Sequence, residues 1–169
     1  MSPIVEALLQ RVQSGAPLTD MADWHDPKLY KTASDDEVSA AEQRLGFALP
    51  GLLRQIYLQV SNGGFGPGYG LIGIEGGATD DLGNSVEQLY GKFWRPRLND
   101  TSGFWPDGLL PFCYMGCAIY YCVACSSQGA PVYYFEPNIR GNGPWGKTLR
   151  FAIGTLEEWF QWWLRGEKK

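Results

Sequence analysis

Four cysteines lie close together in the second half of the chain and form the pattern most typical of metal or redox chemistry. Cys113, Cys117, Cys122 and Cys125 fall within thirteen residues, and two residues separate the last pair. This C-x-x-C spacing occurs in zinc sites and in thiol–disulfide centres. A zinc site, however, needs a tight turn between its ligands, and the residues between this pair belong to an apolar run typical of a β-strand.

The strand interpretation predicts that the cysteines pack as small hydrophobes. Residues three apart in a strand face opposite sides, so Cys122 and Cys125 should diverge. The same alternation puts Cys117 and Cys125 on one face with the apolar side chains of the strand, as is common for buried free cysteines. We therefore expect reduced, metal-free thiols, with a disulfide and a metal site as the alternatives.

Other residues capable of chemistry are few. His25 is the only histidine, so a nucleophile–histidine system would have to use it. Asp80 and Asp81 could act as an acid–base pair, but adjacent acids in a glycine-rich loop are more typical of a solvated turn. The glycines from Gly63 to Gly70 follow a predicted helix and enter a strand, which is the reverse of a dinucleotide-binding fingerprint. No catalytic residue and no cofactor is predicted.

The elements that must position these residues begin with helices. A capping box, Ser34 to Glu37, predicts a helix over about 35–45, and a second helix should follow Leu49-Pro50. A first helix is predicted after Pro3, and a short one over about 84–90. A second capping box at Thr155 opens a last helix, with Trp162 off its apolar face.

Strands account for the rest of the predicted core. Apolar and aromatic runs near 109–114, 118–125 and 131–135 are separated by turn residues, which is typical of consecutive antiparallel strands, and 69–74 is strand-like. The prediction is one α+β domain with a central, largely antiparallel sheet flanked by helices. Residues 1–33 are expected to form a helix and an irregular arm packed on the domain of residues 34–169.

Charge is distributed unevenly along the chain. The formal net charge is −4, yet residues 20–87 carry 11 acids and 4 bases, whereas residues 88–169 carry 6 acids and 9 bases. An acidic surface repels phosphate and attracts basic partners, so direct nucleic-acid binding is disfavoured and a cationic protein partner is allowed. No apolar stretch is long enough for a membrane span, and the start lacks a secretion signal, so we expect a cytoplasmic protein without a membrane partner.

Exposed acids and aromatic residues beside arginine are the composition of a protein-binding surface. The segment Trp94-Arg95-Pro96-Arg97 has that composition. The predicted partner-binding residues are Glu75, Asp80, Asp81, Trp94, Arg95 and Trp105.

A spaced set of residues in the first half of the chain resembles the signature of the SUKH superfamily, which includes the fungal cell-wall assembly regulator and many bacterial immunity proteins. The signature residues are Glu42, Leu45, Gly46, Leu49, Pro50, Tyr57, Asn62, Gly63 and Gly64. The later stretches 105–111 and 156–159, and the strand pair ending at Pro131-Val132, resemble bacterial members. The resemblance covers about residues 35–165.

This resemblance implies an α+β fold without a cofactor or catalytic residues to transfer. It also implies a role, because many bacterial members are thought to neutralise a cognate toxin by direct binding. A regulatory or scaffold protein of the same fold, without a toxin partner, is the alternative, and an enzyme of unknown type is the third hypothesis.

Overall fold

The computed structural model describes residues 1–94, 105–139 and 148–167. Within these ranges the chain forms five helices and one five-stranded sheet. In chain order the elements are α1 (Pro3–Gln13), α2 (Asp35–Leu45), α3 (Gly51–Gln59), β1 (Gly70–Leu71), α4 (Val86–Trp94), β2 (Leu109–Gly116), β3 (Ile119–Ala124), β4 (Val132–Phe135), β5 (Leu149–Ile153) and α5 (Leu156–Leu164). The predicted α+β class is confirmed.

The sheet is an antiparallel meander in which each strand pairs with the next one along the chain. The turn between β2 and β3 has positive φ at both central residues, Cys117 and Ala118. Two such residues form the tight turn whose twist matches that of the flanking strands. Cys117 is therefore an exposed turn residue, and the prediction that it shares a buried strand face with Cys125 is wrong.

Helices cover the sheet on both faces. Neighbouring residues of β3 point to opposite sides. Tyr120 meets Phe93 of α4, with ring centroids 5.6 Å apart, whereas Tyr121 meets Trp159 of α5 at 5.3 Å. α1 packs against α3 and α5, and α2 packs against α3 and α4. The helices and the sheet therefore share one apolar core.

The arm between α1 and α2 is bound to the domain by backbone hydrogen bonds. The amide of Gly66 donates to Leu18, Met21 donates to Gly68, and Ala33 donates to Tyr57, all at about 2.9–3.1 Å. The buried side of α1, which includes Val5 and Leu8, lies in the common core. In the part of the chain that the structure describes, no helix is long and apolar enough to cross a membrane.

The helix signals in the sequence are largely confirmed. The Ser34 hydroxyl accepts from the Glu37 amide, and the Glu37 carboxylate accepts from the Ser34 amide, so the first capping box is present. At α5 the Thr155 hydroxyl accepts from the Glu158 amide, but the Glu158 carboxylate bonds the Thr155 hydroxyl instead of its backbone N–H. The second capping box is therefore only half formed.

Three expectations about the core need correction. Trp162 was predicted to lie off the apolar face of α5, yet it is buried, and its ring centroid lies 6.1 Å from that of Tyr121 on β3. The predicted strand over 69–74 shrinks to two residues, since Gly73 turns away to bond Ala78. β5 was not predicted, and its pairing with β4 defines it.

Candidate partner-binding groove

The acidic loop, residues 75–84, holds one predicted partner contact that the structure buries. Asp80 accepts hydrogen bonds from the amides of Leu82 and Asn84, from the Asn84 side chain and from the Tyr120 hydroxyl, the last at 2.9 Å. These donors replace water around the carboxylate. The prediction of Asp80 as a surface contact is therefore wrong, because this side chain organises the loop from inside.

The other two predicted acids are exposed. Glu75 forms an ion pair with Arg44, with 3.3 Å between Oε2 and Nη2. Asp81 interacts with the Tyr114 hydroxyl. Burial raises the pKa of both Tyr114 and Tyr120, and their hydrogen bonds to the aspartates raise it further. The tyrosines therefore stay neutral donors and fix the loop on the end of β2 and β3.

The two predicted tryptophan contacts differ in burial. Trp105 is buried beside Phe135, and its Nε1 donates to the Leu109 carbonyl at 2.7 Å, so its prediction as an exposed anchor is wrong. Trp94 is half-buried and donates to Asp107 at 3.1 Å. Arg95 lies outside the described residues, and its role stays a prediction.

The residues considered for metal or nucleophile chemistry are dispersed. Cys113 and Cys122 are buried in the sheet, where burial raises the pKa of each thiol, and burial raises the pKa of Cys125 to about 12. His25 contacts Thr19 and the Tyr69 ring. Within the described ranges, no three His, Cys, Asp or Glu side chains converge on a point that could hold a metal ion.

The first part of the family-like signature fixes the connection between α2 and α3. Gly46 takes the left-handed conformation, with φ of 83°, that ends α2. The Glu42 carboxylate then accepts from the Leu49 amide at 2.9 Å and from Arg54 at 2.8 Å. Leu45 and Leu49 are buried, and Pro50 precedes the first turn of α3. The carboxylate thus joins the two helices through a backbone and a side-chain contact.

The second part forms a backbone clamp, which we call the Asn62 clamp (residues 62–64 with 71–78). Asn62 Oδ1 accepts from the Ile74 amide at 2.9 Å, and the Asn62 carbonyl accepts from the Ala78 amide at 2.9 Å. Gly63 and Gly64 have φ of 87° and 91°, and a Cβ on Gly64 would overlap the Lys28 carbonyl. The Tyr57 hydroxyl donates to Ile72 at 2.7 Å. Glycine is required where chains approach this closely.

A groove of about 950 Å³ opens on the α5 face of the sheet, and we call it the α5 groove. It lies between the C-terminal half of α5, the strands β2 to β5, the end of α1 and the arm. Its lining consists mainly of aromatic, methionine and charged side chains: Arg11, Asp20, Met21, Met115, Tyr121, Tyr134, Glu136, Arg150, Phe151, Ala152, Trp162, Trp163, Leu164, Gly166 and Glu167.

Aromatic rings form the floor of the α5 groove. Tyr121 and Tyr134 are cross-strand partners whose rings meet nearly edge to face, with centroids 5.0 Å apart. Trp162 lies 6.1 Å from Tyr121 on the helix side. Burial raises the pKa of both tyrosines, so their hydroxyls remain neutral at physiological pH. The floor therefore offers flat apolar area together with hydroxyl donors.

An arginine stands over an aromatic ring at each end of the α5 groove. The Arg11 guanidinium lies 4.9 Å from the Trp163 ring, and the Arg150 guanidinium lies 5.3 Å from the Tyr134 ring. Arg150 also pairs with Glu136 at 3.2 Å. Arg11 donates to the Pro17 carbonyl through Nη2, while its buried Nη1 makes no hydrogen bond to a described residue. Stacking holds both guanidinium groups in place.

One exposed aromatic side chain lies in the arm beside a groove residue. Trp24, 79% exposed, follows Met21 and donates its amide to the Met21 carbonyl. Phe151, 63% exposed, lies on β5, but its ring meets Tyr133 on the other side of the sheet from Tyr134 and Arg150. The groove has no local signal in the sequence, because it depends on β5, a strand that was not predicted, and on Trp162, which was predicted to lie off the apolar face of α5.

Comparison with known proteins identifies the family. No curated protein matches the chain significantly. The family model described as SMI1 / KNR4 family (SUKH-1) matches residues 32–162, which include α2 to β5 and most of α5. The match spans well over half of the sequence and agrees with the resemblance carried by the signature residues. The chain belongs to the SMI1 / KNR4 family (SUKH-1).

Proposed function

We propose that the chain is a non-enzymatic binding protein whose protein partner occupies the α5 groove. The observation that carries this proposal is the lining of that groove. Tryptophan, tyrosine, methionine and arginine dominate it, and these residue types are enriched where proteins bind proteins. The stacked arginines and the paired tyrosines are held in place before binding, so less conformational entropy is lost when a partner docks.

The chemistry of the described residues supports binding more than catalysis. The groove tyrosines have raised pKa values, which makes them donors and poor general bases near neutral pH. Three of the cysteines also have raised pKa values, which lowers their thiolate content. A neutral tyrosine hydroxyl in the groove can donate a hydrogen bond to a partner, and buried thiols with raised pKa values are poor nucleophiles.

Within this class, we propose an immunity-type role. The chain binds a toxin domain directly and occludes it inside the cell that produces the toxin. Support comes from the resemblance to bacterial immunity proteins and from the acidic first half of the chain, which favours a basic partner. The regulatory or scaffold role of the same fold is the alternative. The two differ in the partner, because only the first requires one that is toxic by itself.

The experiment compares groove and control variants in partner capture. Affinity-tagged protein is used to capture its partner from the native cell, with Tyr134→Ala and Met21→Ala as groove variants. Leu82→Ala, at a 77% exposed position on the acidic loop, is the matched control for loss of an apolar side chain elsewhere. We expect capture by the wild type and the control, and loss of capture by the groove variants.

The captured protein is then produced alone and together with this chain. The immunity proposal expects growth arrest when the partner is made alone, and rescue by the wild type but not by Tyr134→Ala. A partner that causes no growth arrest when made alone would favour the regulatory or scaffold role. Equal capture by all variants would remove the α5 groove from the interface.

A further inference from the structure

A second cleft, of about 530 Å³, lies on the α4 side of the molecule and contains an incompletely paired acid. Its walls are the end of α2 with the turn after it, the length of α4, and the turn before β2. The charged lining residues are Arg44, Glu87 and Asp107, so carboxylates outnumber cations. We call it the Glu87 cleft.

Glu87 is the residue whose environment indicates a ligand site. Its side chain is only 7% exposed. Oε1 accepts from Arg44 Nη2 at 2.7 Å and from the Glu75 amide at 3.2 Å, whereas buried Oε2 has no hydrogen-bond partner among the described residues. A buried carboxylate oxygen without a donor costs free energy, which a donor supplied by a ligand would recover.

Arg44 already occupies one side of this carboxylate but leaves room for a second cation. Its side chain is 44% exposed, and it divides its Nη2 between Glu87 and Glu75. A carboxylate has about four lone-pair directions, so one guanidinium at Oε1 does not exclude another at Oε2. Because Oε2 is covered, a side chain must move to admit a ligand. Moving Arg44 breaks its 2.7 Å contact with Glu87 as well as its exposed pair with Glu75, and the guanidinium of the ligand would replace the contact with Glu87.

Aromatic rings form the wall beside the acid. Phe47 and Tyr90 meet edge to face, with centroids 5.0 Å apart and planes at 79°. The Asp107 carboxylate, which accepts from Trp94, borders the same cleft. A planar guanidinium can stack on a ring while its N–H groups reach a carboxylate, which a compact ammonium group does less well.

We infer that the Glu87 cleft receives an arginine side chain of a protein partner. Negative charge, an unpaired buried acceptor and an aromatic wall together match the guanidinium group. This site is on the opposite side of the sheet from the α5 groove and does not depend on it. Glu75, predicted from sequence as a partner contact, contributes here by holding Arg44.

The test uses N-acetyl-arginine amide as the probe and N-acetyl-citrulline amide as its neutral isostere. Backbone amide shifts of the intact protein are followed by NMR during titration. We expect saturable shifts at Phe47 and Gly91, and an affinity about tenfold higher for the arginine probe, since a hydrogen bond to a charged group is the stronger kind.

Three variants complete the test. Glu87→Gln should remove the preference for arginine, whereas Glu6→Gln, an exposed acid on α1, should keep it. If Glu87→Gln does not fold, Gly91→Gln is tested in its place. A Cβ at Gly91 meets no atom within 4 Å, so the variant should fold, and the longer side chain would fill the cleft. It should abolish the shifts while the fold, checked by circular dichroism, is unchanged.

Two results would overturn the inference. Equal affinity for the arginine and citrulline probes would show that the cleft does not recognise the positive charge. Arginine-specific shifts that survive in Gly91→Gln would place binding elsewhere. Free arginine, with its own amine and carboxylate, is titrated as well. Binding of free arginine about tenfold more tightly than the capped probe would identify a small-molecule site and contradict the protein partner.

Discussion

The Asn62 clamp and the α5 groove differ in how completely their polar and aromatic groups are used inside the fold. In the clamp, Asn62 accepts hydrogen bonds from the amides of Ile74 and Ala78, and glycines allow the backbone segments to pack in direct contact. In the groove, Tyr134 and Arg150 are partly exposed, and Arg11 keeps a buried N–H without an acceptor among the described residues.

The difference separates residues that specify the fold from residues available for a partner. Signature positions such as Glu42 and Asn62 direct their hydrogen bonds into the fold, so they identify the family without identifying a binding site. The groove uses residues from the arm, four strands and two helices, which no short motif connects. The proposed binding groove therefore lies on a surface that the signature does not mark.

The largest expected effect comes from truncating the aromatic core that both regions share. Tyr57 and Trp159 are fully buried. Alanine at either position should lower the free energy of unfolding by about 3–5 kcal/mol, because it leaves a cavity the size of an aromatic ring. Urea denaturation measures the loss. A decrease below about 1 kcal/mol at both sites would contradict the core described above.

A smaller but more selective effect is expected at the glycines of the clamp. A Cβ on Gly73 would overlap the Asn62 backbone oxygen, so Gly73→Ala should cost about 3 kcal/mol. Gly91 on α4 has open space around it, and Gly91→Ala should be neutral or stabilise by up to about 1 kcal/mol. Thermal unfolding of the two variants side by side tests the clamp. Equal melting temperatures would show that it is not rigid.

The acidic loop should show an intermediate effect. Asp80→Ala leaves the Tyr120 hydroxyl and the Asn84 amide without their acceptor, so we expect a loss of about 2 kcal/mol. Asp81→Ala, at the exposed neighbour, should cost about 0.5–1 kcal/mol, because only the Tyr114 hydroxyl loses an acceptor. Chemical denaturation of the two variants measures the loss of unfolding free energy, which should be larger at the buried acid than at the exposed one. Similar losses at both positions would contradict the distinction.

Local sequence signals predicted the helices well, whereas the burial of the candidate site residues depends on contacts that are distant in the sequence. The capping residue Ser34 and the left-handed Gly46 act within one helical turn, so their patterns are visible in the sequence. Asp80 looks like a solvated turn residue, and only Tyr120, forty positions away, shows that it is buried. Trp162 was predicted to lie off the apolar face because a single helical stripe was expected, whereas its ring contacts with Tyr121 and Trp159 show that the core covers more of α5 than that stripe.

The smallest effect on stability is expected at the exposed rim of the α5 groove. Trp24→Ala should change the free energy of unfolding by less than about 0.5 kcal/mol, because the side chain is largely exposed. The same variant should weaken capture of the partner. A loss of more than about 1 kcal/mol would show that this side chain belongs to the fold instead of the interface.

The dissociation rate of the partner complex tests the central claim most directly. With the captured partner, Tyr134→Ala should raise the dissociation rate about thirtyfold, because central aromatic anchors contribute about 2 kcal/mol or more. Lysine at Glu75 and Asp81 should instead slow association at low salt and leave dissociation unchanged, since peripheral charges act on encounter. A dissociation rate that rises in the Glu75→Lys, Asp81→Lys variant and stays at the wild-type value in Tyr134→Ala would place the interface on the acidic loop and contradict the groove.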